Sequence, residues 1–150
     1  MRHFFGIEDD AFIRGDVPMT KREIRATIMN EARISEDSVV LDVGAGTGSI
    51  SIEAALGAPN GHVYAIERFA KGIELIRQNT EKFKVENITV IEAKAPDGMA
   101  TLPPLDAVII GGSAGGMTQI LDETERLLKV GGRLVVTAVT METGFTILEA

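Results

Sequence analysis

Apolar residues along this chain alternate between two spacings. Short continuous apolar runs fall at 39–43, 62–66, 88–92, 105–111 and 133–139, each bounded by glycine, proline or polar residues. Runs of this length without a polar face are what strands covered on both sides require, so each predicts a buried parallel strand. Between them, apolar residues recur every three or four positions. Ile24 and Ile28 follow Thr20-Lys-Arg-Glu23, which has the form of a capping box. Ile50 and Ala54 define a second helix that stops at Gly57, and Ile73, Ile76, Thr80 and Phe83 a third. Met117, Ile120, Leu121, Thr124, Leu127 and Leu128 form the cleanest helical stripe. Pro59-Asn-Gly61 and Gly131-Gly132 read as turns. Residues 1–19 are irregular and carry Phe4, Phe5 and Phe12, which need packing partners.

Strands separated by helices predict an α/β domain, doubly wound around a mostly parallel sheet, with helices on both faces. A length of 150 residues suits one domain, 1–150, with 1–19 as a lid-like lead. In such sheets ligands lie beyond the carboxyl ends of the strands, where strand order reverses. The candidate site residues all fall at those ends.

Composition narrows the chemistry. No apolar stretch approaches the roughly 20 residues that span a bilayer, and the acidic N-terminus does not resemble a secretory signal. The expectation is therefore a cytoplasmic protein without a membrane partner. There is no cysteine, which removes disulfides, thiolate metal sites and thiol nucleophiles. A net charge of −7 opposes nucleic-acid phosphates unless cations are segregated. Arg14, Lys21, Arg22 and Arg25 are partly segregated, and such a group reads either as a solvated helix face or as a local attraction for an anionic ligand.

The strongest chemical signal is Asp42-Val-Gly44-Ala45-Gly46-Thr47-Gly48, a glycine turn between a strand and a helix. Its G-x-G-x-G spacing differs from the dinucleotide pattern G-x-G-x-x-G. An acid just before the turn disfavours a pyrophosphate there. S-adenosylmethionine has no phosphate, and its methionine ammonium can be balanced by Asp42 directly or through water. Glu67, ending the second strand, is placed to accept hydrogen bonds from both ribose hydroxyls. The backbone of Ala95 is placed to meet the adenine edge. The loop Gly111-Gly112-Ser113-Ala114-Gly115-Gly116 presents backbone amides to an acceptor, and Gly112 to Gly115 are the substrate-binding candidates. No metal cluster or catalytic triad is visible, and no residue is assigned as catalytic. His3 and His62 read as structural.

Several segments together resemble one family: Gly6–Phe12, Val17-Pro-Met-Thr-Lys21, Leu41–Ser49 and Val108–Ser113 are similar to the decarboxylating cobalt-precorrin methyltransferases of cobalamin biosynthesis. The resemblance spans roughly residues 6 to 149 and implies a Rossmann-like class I methyltransferase fold. It implies methylation of carbon 15 of a corrin precursor, with loss of carbon dioxide from the acetate on carbon 12. It also implies cofactor contacts from Thr20, Gly44 through Gly48, Glu67 and Ala95, and a homotetramer. Lys94 departs from the acid common at its place in related sequences. A helix opening at Glu142 ends the chain, whereas family members continue with two more strands, so a shortened C-terminus is expected.

Other readings are tRNA adenine or other small-substrate methyltransferases, a nicotinamide-dependent dehydrogenase domain, and a cofactor-binding module without catalysis. An N-terminal part too short for a tRNA-binding domain and the acidic charge oppose the first. The glycine spacing opposes the dehydrogenase.

Overall fold

The computed structural model describes residues 4–111 and 115–137. It contains strands β1 (Val39–Val43), β2 (His62–Glu67), β3 (Ile88–Glu92), β4 (Leu105–Ile110) and β5 (Leu128–Val136). Helices α1 (Arg22–Glu31), α2 (Ser49–Gly57), α3 (Ala70–Lys82) and α4 (Met117–Leu127) connect them. All strand pairs are parallel, in the order β3-β2-β1-β4-β5. The chain builds outward from β1 to β3, then crosses back to β4 on the other side of β1. The reversal leaves a crevice at the carboxyl ends of β1 and β4.

Strand alternation sorts the core into two faces. Val40, Val63, Ala107 and Ile109 pack with α1 and α2, whereas Leu41, Val43, Ile66, Val108 and Ile110 pack with α4. Asp42 shares the parity of Val40 and so points toward α2. His62 begins its strand and meets the Thr89 hydroxyl at 2.6 Å, a structural role.

The first helix departs from expectation. It begins at Arg22 after Lys21, and no side chain of its own sequence caps it, so the Thr20–Glu23 box does not form. Asp9 from the N-terminal segment accepts the Arg22 N–H instead, at 2.9 Å. Ile24, expected on the buried face, is 51% exposed, while Ile28 is buried.

Arg25 is the larger surprise. It is wholly buried, with Nε 3.1 Å from the equally buried Glu53 Oε2 and one terminal nitrogen 2.9 Å from Asp9 Oδ1. Its other donors reach the carbonyls of Thr20 and Ile7, and the guanidinium lies 4.8 Å from the Phe12 ring centroid. Glu53 also accepts the Gly6 N–H at 2.9 Å. The N-terminal segment is thereby fastened to α1 and α2. Phe12 and Phe5 pack against this body, but Phe4 remains 81% exposed.

The C-terminal strand also differs. Leu128 leaves the α4 stripe and pairs with Leu105, and the register then jumps so that Ala107 meets Arg133. The intervening bulge holds Gly131 at φ 83° and Gly132, where a side chain would lie 2.8 Å from Leu128. The helix expected from Glu142 lies outside the described residues.

Removing one partner from a buried ion pair strands the other charge, at a cost of about 3–5 kcal/mol. Arg25→Ala should therefore lower unfolding free energy by about that amount in urea titrations, whereas Arg22→Ala should cost less than about 1 kcal/mol. Comparable losses for both would show that the buried Arg25 network is not the fastening.

Candidate functional site

The turn after β1 explains its own glycines. Gly44, Gly46 and Gly48 have φ of 75°, 59° and 86°, a region that side chains disfavour. At Gly48 a Cβ would also sit 3.2 Å from Ile76. The N–H groups of Gly44 and Ala45 both donate to the Ile66 carbonyl, at 2.9 and 3.1 Å, which holds the turn against the end of β2.

A second support was not foreseen. Asn79 of α3 is fully buried and donates to the carbonyls of Thr47 and Ile13 at 2.8 and 2.9 Å. It accepts the Ile13 N–H at 2.8 Å. One carboxamide thus ties the turn to the N-terminal segment. Its only trace in the sequence is a polar residue on the buried stripe of a helix.

Glu67 stands at the carboxyl end of β2, 6% exposed. Its Oε1 accepts the Gly46 N–H at 2.9 Å and its Oε2 the Phe69 N–H at 3.0 Å. Each carboxylate oxygen retains acceptor capacity, so the two backbone bonds orient the group and leave room for two hydroxyl donors. Gly72 makes this possible, because a Cβ there would lie 2.9 Å from Glu67 Cγ.

Asp42 does not face the cavity. It is buried beneath the turn, where its Oδ2 accepts the Ser51 hydroxyl at 2.6 Å. Its Oδ1 is buried without a hydrogen-bond partner among the described residues. Burial pushes its carboxyl up to about 6 against the lowering effect of the Ser51 bond, with the Glu67 charge adding to the rise. Asp42 therefore supports the turn from below, and the expected direct contact between its carboxylate and a ligand's ammonium does not form in this arrangement.

The turn and Glu67 border a cavity of about 750 Å³. Thr20, Gly44, Ala45, Gly46 and Thr47 line it together with Glu67, while Gly48 lies behind the turn. Residues 16–21 roof it as a strap, with Val17 and the Pro18 carbonyl close to Gly46. Gly111 and Thr137 close the side toward β4 and β5. Ala95 is not in this lining: it is buried in the α4-side core, its carbonyl near Gly116. Gly115 has φ 90° and open space around it, whereas Gly112, Ser113 and Ala114 lie outside the described residues. Among the described residues there is no cluster of three metal-ligating side chains, and no helix long and apolar enough to cross a membrane.

The cation group resolves unevenly. Arg25 is buried in the fastening network and cannot meet a ligand, which corrects its assignment to an anion-attracting face. Arg22 is engaged by Glu8 at 2.8 Å, and Lys21 alone of the four lines the cavity.

Asp42 generates a pH prediction. Its folded value of about 6 lies above the ordinary 3.8, so the folded state holds this proton more tightly than the unfolded chain. Its unfavourable contribution is absent below pH 3.8, grows as pH rises toward 6 and is constant above. That difference corresponds to on the order of 3 kcal/mol. Denaturant titrations from pH 4 to 8 should show this loss in the wild-type chain and its absence in Asp42→Asn. Parallel profiles for the two would reject a buried, titrating Asp42.

Comparison with known proteins adds the family. The precorrin methyltransferase domain family matches residues 10–150. The probable cobalt-precorrin-6B C(15)-methyltransferase (decarboxylating) of Sulfurisphaera tokodaii is 40% identical, over 92% of this chain and 73% of that protein. The crystal structure of precorrin-6y C5,15-methyltransferase from Geobacter metallireducens superposes with a TM-score of 0.93 at 41% identity, covering 99% of this chain and 79% of the other. Precorrin 8W decarboxylase from Methanobacterium thermoautotrophicum gives a TM-score of 0.90 at 37% identity, over 95% and 77%. A fold with its strand order reversed beside a glycine turn, a carboxylate fixed at the end of β2, and this likeness along nearly the whole chain agree: the chain belongs to the precorrin methyltransferase family.

Proposed function

We propose that this chain transfers a methyl group from S-adenosylmethionine to carbon 15 of a cobalt-precorrin or precorrin intermediate, with decarboxylation of the acetate on carbon 12. The observation that carries the cofactor is Glu67, held by two backbone N–H groups with acceptor capacity to spare, at the edge of the cavity beside the glycine turn. That spare capacity matches a ribose diol. The acceptor comes from the relatives, named as enzymes of cobalt-precorrin-6B and precorrin-6y.

S-adenosylmethionine supplies, when bound, a methyl group on a sulfonium with a neutral thioether leaving group. The chain's part is orientation and exclusion of water. Glu67 fixes the ribose, and Gly44 through Thr47 let backbone approach the methionine portion. Thr20, Val17 and Pro18 roof the turn. For Ala95 the family resemblance alone suggests an adenine contact, through its backbone, since its side chain is buried in the α4-side core outside the cavity lining. The loop from Gly112 to Gly115, beyond β4, is assigned to the acceptor. An electron-rich carbon in the acceptor needs no strong base, which agrees with a cavity whose only lining acids are Asp16 and Glu67 among the described residues. The reading extends to one domain over 1–150, assembled as a homotetramer in the cytoplasm.

Incubation with labelled S-adenosylmethionine and corrin-pathway intermediates, followed by mass spectrometry, should show gain of one methyl with loss of carbon dioxide. No mass change with any intermediate rejects the reading. Glu67→Gln removes the charge from two ribose hydrogen bonds and should weaken cofactor binding by about 10- to 100-fold in calorimetry. Unchanged affinity would remove Glu67 from the cofactor site.

A further inference from the structure

The cavity is sided in its charge. The chain carries 22 acidic against 15 basic residues, so an anionic ligand meets overall repulsion. Most basic side chains near the site are already committed. Arg25 is sealed with Glu53, and Arg22 lies against Glu8 and Glu23. Lys82 reaches the Ala11 carbonyl. The lining contains two lysines, Lys21 and Lys71, and two acids, Asp16 and Glu67. Glu67 is buried and turned to the backbone of the turn, which leaves Asp16 as the acid at the mouth.

Lys21 precedes α1 on the strap, is exposed and has no acidic partner among the described residues. Lys71 stands in the first turn of α3, and its side chain is 80% exposed. Among the described residues its acidic partner is Asp16, at 4.0 Å and with a 92% exposed side chain. A pair so open and so long contributes little and yields readily to a better-placed carboxylate. The same lining exposes Ile24 by 51%, an apolar surface that nothing in the described structure covers.

We infer that Lys21 and Lys71 are a two-point anchor for the carboxylates of the methyl acceptor, with Ile24 as the apolar rest for its ring system. The occupant is a flat or puckered macrocycle bearing several carboxylates. This rests on the proposed acceptor class and specifies what recognises it. The lysines come from the strap and from α3, so a ligand needs one carboxylate for each to engage both. A monocarboxylate gains one contact and is disfavoured. Binding draws Lys71 from Asp16, and the chain's net acidity then discriminates against anions that do not reach the pair.

The test uses Lys21→Gln, Lys71→Gln and the double variant of the full chain. With the corrin acceptor, each single substitution should raise KM by about fivefold and the double by about twentyfold or more, with kcat and cofactor affinity within about twofold of wild type. The effect should fade as salt rises. A porphyrin bearing eight carboxylates is the second probe, read by its fluorescence in the absence of any reaction. It should bind the wild-type chain and lose affinity in the same order. If wild type methylates no corrin intermediate but binds this porphyrin through the two lysines, the functional proposal fails and the anchor stands. A double variant with wild-type KM and wild-type porphyrin binding overturns the anchor. So does a loss of cofactor affinity equal to the loss of acceptor affinity, which would place the lysines at the cofactor instead.

Discussion

The site depends on the carboxylate of Glu53, which has no access to water. An ionised group so buried is tolerable only when its charge is neutralised and its oxygens are bonded. Arg25 supplies the charge, and the backbone of Gly6 supplies a further donor. Meeting this requirement draws an otherwise irregular N-terminal segment onto α1 and α2. Asp9 then lies where it can cap α1, and Phe12 lies beneath the guanidinium. Once residues 6–12 are fixed at one end and Asn79 holds Ile13, residues 16–21 must arch over the glycine turn. The roof of the cavity is thus a consequence of an electrostatic demand made on its far side.

Rigid and permissive parts are divided accordingly. The floor consists of strand ends and a turn whose N–H groups are bonded to Ile66 and Glu67. The mouth consists of exposed side chains with weak partners. A cofactor common to many enzymes needs fixed geometry, whereas a particular acceptor can be selected by rim residues that cost the fold little to change. Members of one fold class can therefore share the floor and differ at the rim.

Much of the floor was legible in the sequence because it obeys local rules. Continuous apolar runs marked the strands, β3 at both of its ends, and the positive-φ demand of the turn marked Gly44, Gly46 and Gly48. Glu67 was legible from its place at a strand end. What was not legible came from tertiary partners. The Thr20–Glu23 pattern has the form of a cap, yet Asp9 took the role because the N-terminal segment delivered it. Arg25 looked like a surface cation, since nothing local reveals that Glu53, 28 positions later, is buried opposite it. Gly72 and Asn79 were passed over because each serves a contact made by another element. Leu128 kept the helical period, but sheet pairing with Leu105 overrode it.

The parity of β1 sets a limit on how this architecture can vary. Along Val40-Leu41-Asp42-Val43, successive side chains go to opposite faces, and the one polar member meets the one hydroxyl prepared for it, on Ser51. Inserting or deleting a single residue in this strand would turn Asp42 into the apolar layer against α4 and bring Leu41 under the turn. No rearrangement of neighbouring side chains could accommodate both errors at once. A change of length is therefore tolerable only in connections and termini, and the spacing from β1 to the turn behaves as a fixed ruler.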